Sequence, residues 1–225
     1  MITIGKKRAL RTILLIVFGF LLLTFSIKIF PSSWIDLELS EEIQEEQTPL
    51  KDFLMNAVSW FGQTWNSIAV VSLTSLILAM LRFKREAFFC LLTLLMGVIT
   101  YGIKVLIDRP RPNEDLVRVI DKAKFQSFPS GHVGFYIVFF GLMAFFIYHG
   151  KWFSLNVRRV LISVCMLFIF TVPVSRIYLG AHWFTDVLGG FLTGSIYLII
   201  LIFAYLGNPK TTHTIKKEKT AGGLQ

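Results

Sequence analysis

Six apolar runs separated by short charged connections constrain this chain more than any other feature. They fall at about residues 12–30, 65–81, 87–107, 132–149, 160–174 and 183–206. An α-helix needs roughly 20 predominantly apolar residues to cross a bilayer, and backbone in lipid has to satisfy its hydrogen bonds internally. The runs therefore predict an all-α polytopic membrane protein, with six transmembrane helices in residues 1–207 and a basic tail over 208–225. Composition agrees: only 16% of residues are charged and 54% are hydrophobic, where a soluble domain has about a quarter charged. Too few polar side chains are present to coat a water-exposed sphere. The first run follows Lys6, Lys7, Arg8 and Arg11 as a signal peptide would. Bulky Ile29-Phe30-Pro31 stands where a small-residue cleavage site would be, so an uncleaved span is expected. Cys90 and Cys165 both fall inside apolar runs and supply neither a disulfide framework nor a zinc motif.

Charge sorts the connections. Segments 1–11, 82–86, 150–159 and 207–225 hold 14 of the 23 Lys and Arg residues and only Glu86 and Glu218 of the 14 acids. The positive-inside rule then places both termini in the cytoplasm, and an even number of spans agrees. Segments 31–64, 108–131 and 175–182 face outward. Asp36, Glu38, Glu41, Glu42, Glu45 and Glu46 in the first of these read as a solvated acidic run. Residues 53–61 have helical apolar spacing. They read either as a short amphipathic helix in the outer interface or as the start of a long second helix near Pro49. Lys28 is expected to snorkel, Pro173 to end the fifth helix, and Asp108 to pair with Arg109. Trp34, Trp60, Trp65, Trp152 and Trp183 stand near boundaries, as an aromatic belt would place them. Gly189, Gly190 and Gly194 suit close helix packing. The net charge of +9 by itself admits nucleic acid or an anionic membrane. The apolar runs decide for the bilayer, and no nucleic-acid partner is expected.

Two outward segments break the acidic pattern. One runs from Lys104 through Arg111-Pro112 to Pro129-Ser130-Gly131-His132, and the other contains Ser175-Arg176, His182 and Asp186. Lys104 and Asp186 fall within predicted spans, where an unpaired charge costs roughly 2.5–3.5 kcal/mol, so each needs a partner or a wet cavity. Lys104, Arg111 and Arg176 supply three positive charges, and the planar guanidinium fork fits phosphate oxygens. Ser130 and Gly131 sit at the start of the fourth predicted span, where free N–H groups attract anions. His182 and Asp186 are four apart on one helical face. The carboxylate can fix the tautomer of the ring and leave its other nitrogen free to attack. His132 is placed to protonate a leaving oxygen, with an ordinary pKa near 6.5. The residues describe a phosphate pocket with a nucleophile and an acid.

Lys104-x6-Arg111-Pro112, Pro129-Ser130-Gly131-His132 and Ser175-Arg176-x5-His182-x3-Asp186 resemble the three-part motif of the type 2 phosphatidic acid phosphatase superfamily. That group includes membrane lipid phosphate phosphatases, soluble acid phosphatases and vanadium haloperoxidases, and the six-span layout fits the membrane branch. The resemblance implies a metal-independent, cofactor-free phosphoric monoester hydrolase of the cell membrane. His182 would be its nucleophile, Asp186 the orienting partner and His132 the general acid–base. Lys104, Arg111, Ser130, Gly131 and Arg176 would bind the phosphate. The substrate implied is a phosphorylated lipid of the outer leaflet. Phosphatidylglycerophosphate leads; undecaprenyl diphosphate or a broad range of lipid phosphates are the alternatives. The motifs leave the oligomeric state open. An anion channel or phosphate transporter is the competing class, but neither internal pseudo-symmetry nor midplane helix breaks are visible. A vanadate-dependent oxidase would share the pocket, but no oxidant machinery accompanies it.

Overall fold

A computed structural model describes residues 2–123, 125–150 and 152–207, with side chains from residue 7 onward. The basic tail and Lys151 lie outside the described residues. Nine α-helices make up most of that structure: α1 Ile2–Ile29, α2 Trp34–Gln44, α3 Pro49–Ser59, α4 Thr64–Met80, α5 Lys84–Leu92, α6 Leu95–Ile107, α7 Gly131–Gly150, α8 Leu155–Tyr178 and α9 Phe184–Leu206. A 3-10 turn, Trp60–Gly62, joins α3 to α4. No strand occurs among the described residues.

Five segments are long and apolar enough to cross a membrane: Lys7–Ile29, Lys84–Ile107, Gly131–Gly150, Leu155–Tyr178 and Phe184–Leu206. A sixth arises if Pro49–Gly62 and Thr64–Met80, bent by 60° at their junction, form one span. α4 alone has 17 residues, about 25 Å of helix, against a hydrocarbon core of about 30 Å. Leu14, Leu15, Phe18, Leu21, Leu22 and Phe25 on α1 are exposed, as are Leu73, Leu76, Leu106, Leu167 and Phe170 elsewhere. Apolar surface on that scale requires lipid as the solvent. The chain is a multi-pass membrane protein.

α7 is the most enclosed helix, with Val133 through Phe139 all buried, and it packs along both α8 and α9. Glycines let α7 and α9 approach. A Cβ at Gly190 would lie 2.5 Å from the Ser130 carbonyl oxygen, and one at Gly194 would lie 2.9 Å from that of Gly134. Small residues are what permit close backbone approach between membrane helices. Tyr136 and Phe140 on α7, Phe168 on α8 and Phe61 in the 3-10 turn form an aromatic stack, with Phe140–Phe168 centroids 4.8 Å apart and Phe61–Phe168 5.1 Å apart. The stack fixes the α3–α4 bend against the core.

Several local expectations are revised. The acidic run is a helix, α2, started by a capping box in which Ser33 and Asp36 bond each other's backbone N–H groups. Asp36 and Ser40 face inward and are buried, whereas Glu38, Glu41 and Glu42 face out. Residues 53–61 belong to a distinct helix and turn, α3 being capped by Thr48 with Pro49 in its first turn. Pro173 does not end the fifth span; α8 continues to Tyr178. The proline removes one helical N–H bond without stopping a helix held by packing on both sides. Lys28 donates to the Ile107 carbonyl at 2.6 Å, capping the end of α6. Trp183 is buried at the N-cap of α9 and does not join the exposed Trp34 and Trp65.

If glycine serves the α7–α9 contact, Gly190→Leu should destabilise the protein by about 1–3 kcal/mol or more. Gly19→Leu on α1, where an added Cβ meets nothing within 4 Å, should leave thermal unfolding in detergent unchanged.

Candidate active site

The predicted site residues converge where the N-termini of α7 and α9 meet. The Ser130 N–H donates to the Asp186 carbonyl at 2.9 Å, joining the two helix starts through their backbones. The connection 179–183 brings in His182. It turns at Gly180, whose φ of +64° and whose Cβ position, 2.1 Å from the Arg118 carbonyl, admit only glycine. The connection 108–130 folds over the same end.

His182 is buried. Its Nδ1 lies 3.5 Å from the Asp186 carboxylate and 3.5 Å from Ser127 Oγ. Its Nε2 points the other way, to 3.4 Å from Arg111 Nη1. The ring thus has an anchored side and a side facing a cation. Burial, followed by the charges of Arg111, Lys104 and Arg176, holds His182 well below the ordinary histidine range, so the ring is neutral near pH 7.

The three cations are held by the chain itself. Lys104 Nζ donates to the carbonyls of Gln126 and, at 2.9 Å, Ser127, so its partners are the backbone of the connection that it braces. Arg111 donates to the carbonyls of Phe125 and Ala181 at 2.5 Å each. Burial and the charge of Arg176 lower its pKa to about 10, and it stays protonated at neutral pH. Arg176 donates to Ser59 Oγ at 3.0 Å and to Asp121 Oδ2 at 2.7 Å. His132 stands within electrostatic reach of Arg176, His182, Arg111 and Lys104. Its ring packs on Gly62, where an added Cβ would lie 2.4 Å from Cδ2. Ser130 Oγ, His132 Nε2 and Arg176 Nε are buried with no hydrogen-bond partner among the described residues. Buried polar atoms are nearly always bonded, so three such atoms among cations mark a site built for a polar ligand. A cavity of about 290 Å³ opens beside Arg111, lined also by Asn113, Glu114, Asp121, Lys122 and Gly180.

Sequence reasoning missed the group that anchors Asp186. Arg109 does not pair with Asp108. It donates to Asp186 Oδ1 at 2.5 Å, Asp36 Oδ2 at 2.8 Å, Thr185 Oγ1 at 2.7 Å and the Pro31 carbonyl at 2.7 Å. Asp36 also accepts from the Thr185 N–H at 2.9 Å, capping α9 from another helix. Ser127 donates to Asp186 Oδ2, as does the Trp183 N–H at 2.9 Å. Asp36 carried a readable signal, the Ser33-x-x-Asp36 capping pattern. Ser127, Ser59 and Asp121 carried none.

Residues 85–210, a stretch holding every one of the predicted site residues, match the PAP2 superfamily. The chain belongs to that superfamily. A 99-residue segment is 31% identical to phosphatidylglycerophosphatase B of Bacillus subtilis, covering 44% of this chain and 47% of that protein. An 89-residue segment is 37% identical to the putative undecaprenyl-diphosphatase YbjG of Escherichia coli, covering 40% of each. The matched segments therefore span less than half the length of these two relatives. Among solved structures, a transmembrane PAP2 type phosphatidylglycerolphosphate phosphatase from Bacillus subtilis superposes with a TM-score of 0.71 at 24% identity, over 84% of this chain and 93% of that one. LpxE of Aquifex aeolicus superposes with a TM-score of 0.61 at 24% identity, over 80% of this chain and 99% of that one. These likenesses establish a PAP2 membrane fold.

Arg109 separates two buried carboxylates, so its removal leaves both uncompensated. Arg109→Ala should cost about 3–5 kcal/mol of stability. Thermal unfolding in detergent would read this as a large fall in midpoint, and an unchanged midpoint would deny the network its structural role.

Proposed function

We propose that this protein is a membrane phosphatase that removes the terminal phosphate of a phosphorylated lipid through a phosphohistidine on His182. The observation that carries the reading is the free Nε2 face of His182, 3.4 Å from Arg111, with Ser130 Oγ, His132 Nε2 and Arg176 Nε unpartnered at the same end of the bundle. In the proposed reaction His182 Nε2 attacks phosphorus and forms a P–N bond. The P–O bond to the lipid breaks, and His132, protonated once the phosphate's negative charge offsets the neighbouring cations, gives its proton to the departing oxygen. His132 then takes a proton from water, whose oxygen attacks phosphorus, breaking the P–N bond and releasing phosphate. Lys104, Arg111 and Arg176 stabilise charge on the equatorial oxygens, with Ser130 and the Gly131 N–H as further donors. Asp186 keeps the His182 ring in place. No metal enters this scheme.

Phosphatidylglycerophosphate is the leading substrate, by similarity to the phosphatidylglycerophosphatase B of Bacillus subtilis. The Escherichia coli relative keeps undecaprenyl diphosphate as the second reading. Phosphate release by the purified protein in detergent, compared across these lipids and phosphatidic acid, separates them. The expected result is fastest turnover of phosphatidylglycerophosphate; equal turnover of all three would defeat a narrow assignment. His132→Ala should lower kcat by about 10²–10⁴, and His182→Ala should abolish both turnover and acid-labile phosphate incorporation. Unchanged hydrolysis by His182→Ala would remove it as nucleophile. Because His182 is held below its ordinary range, it protonates and stops attacking only at low pH. The acid limb of kcat/KM should therefore lie below about pH 6.5.

The charge bias supports both termini in the cytoplasm and the site at the outer face, with α3–α4 counted as one of six spans. Single cysteines at positions 42 and 216, in a chain lacking Cys90 and Cys165, test this. Position 42 should label from outside and 216 from inside; the reverse pattern would turn the site inward.

A further inference from the structure

We propose that Asp121 is a built-in competitor of the phosphate: its carboxylate on Arg176 weakens the pocket's hold on the anion and speeds release of inorganic phosphate. The proposal rests on the phosphate pocket described above and names a residue that tunes it.

Arg176 is almost fully buried and cannot swing to solvent. One of its terminal nitrogens donates to Ser59 and the other to Asp121, at 3.0 and 2.7 Å, while Nε has no partner among the described residues. The guanidinium that would meet the phosphate therefore already carries an opposite charge at contact distance. Asp121 is held in that position by its backbone. Its N–H donates to the Leu179 carbonyl at 3.1 Å, and the Ile120 N–H donates to the same oxygen at 2.9 Å. Gln44 ties the strand of chain before it to the end of α8, bonding the carbonyls of Arg118, Ile177 and Tyr178. A carboxylate needed only to fill Arg176 could sit anywhere along it. This one forms part of the cavity wall next to Arg111, with its side chain 36% exposed.

The other charges facing that cavity do not cancel its effect. Lys122 is paired with Glu114 at 2.5 Å, which leaves Arg111, partly buried, as the unpaired cation of the wall among the described residues. An arriving phosphate thus meets Arg111 and Arg176 together with one fixed negative charge on the second of them. Three cations around a dianion in a poorly solvated pocket would bind the product as well as the transition state, and uniform binding of that kind does not raise turnover. A fixed carboxylate lowers the affinity for every anionic state, and most visibly for the free product.

The test uses the full-length protein in detergent and inorganic phosphate as the probe, with binding followed by calorimetry and product inhibition by initial rates. Asp121→Asn keeps an oxygen to accept from Arg176 and removes the charge. It should bind phosphate roughly tenfold more tightly, an order of magnitude set by a unit charge at short range in an intermediate dielectric, with a matching fall in the inhibition constant. Asp121→Glu, which keeps the charge, should stay near the wild-type value. Asp121→Ser, which also lacks the charge, should tighten binding too, and serves if the amide variant unfolds. Unchanged or weaker binding by Asp121→Asn, with wild-type binding intact, would overturn the proposal and make Asp121 an orienting partner of Arg176. Absence of phosphate binding by the wild-type protein would overturn both the proposal and the pocket on which it rests.

Discussion

Arg109 is the tie on which the site end of the bundle depends. Its guanidinium lies between two carboxylates, 2.8 Å from Asp36 and 2.5 Å from Asp186, and all three side chains are buried. Two negative charges against one positive charge would be unstable in such surroundings without further donors. Those donors are the Thr185 and Trp183 N–H groups at the start of α9 and the Ser127 hydroxyl. The positive end of the α9 dipole adds to them. The network draws together α2, the chain after α6 and the first turn of α9, three segments far apart in sequence. The Ser130–Asp186 backbone bond then adds the start of α7. Loss of the guanidinium would leave carboxylates to repel one another where water cannot screen them, so the ion network and the helix geometry are held as one unit.

That unit forms only because the backbones of α7 and α9 can come close. Gly190 and Gly194 lie against the carbonyls of Ser130 and Gly134, and no larger side chain fits there. In lipid, apolar contact gives helices little preference for each other over acyl chains, so close packing supplies much of the association. Close packing also has a chemical consequence. It directs two helix N-termini at one volume, beside Lys104, Arg111 and Arg176. Like charges concentrated in that way repel, and each cation is accordingly bonded to backbone carbonyls or to a hydroxyl and a carboxylate.

The apolar runs were legible because the bilayer imposes one strong rule on sequence; they correspond to α1, α4, the α5–α6 pair, α7, α8 and α9, of which α4 is long enough to span only together with α3. The cluster from Lys104 to Asp186 was legible because the unusual residues stand at fixed spacing within two segments. What escaped was contact between segments. Asp36 sits in a run of acids that looks solvated; only helical phase turns Asp36 and Ser40 inward while Glu38, Glu41 and Glu42 face out. Arg109 and Asp108 are neighbours in sequence, but Asp108 adopts a left-handed conformation with φ of 52° as α6 ends, so their side chains diverge. Pro173 is a helix breaker by local propensity, yet packing on α7 carries α8 through it. Ser127, Ser59 and Asp121 are ordinary polar residues whose meaning comes entirely from what the fold brings beside them.

The position of Asp186 changes how the proposed nucleophile has to be understood. A carboxylate beside a histidine is usually taken to raise its basicity and orient it by a hydrogen bond. Here Asp186 is committed elsewhere: Oδ1 accepts from Arg109, and Oδ2 accepts from Ser127 and the Trp183 N–H. His182 approaches it only to 3.5 Å, longer than a good hydrogen bond. The charge of Asp186 is largely offset by Arg109, whereas Arg111, Lys104 and Arg176 all act on His182 against its protonated form. The ring is therefore kept neutral by burial and, after it, by the cations, and the carboxylate contributes position more than basicity. In the proposed reaction this arrangement has a clear logic. The cations that would draw in the phosphate are also the groups that keep the lone pair of His182 unprotonated until phosphorus arrives. Once the P–N bond forms, the incoming negative charge offsets them.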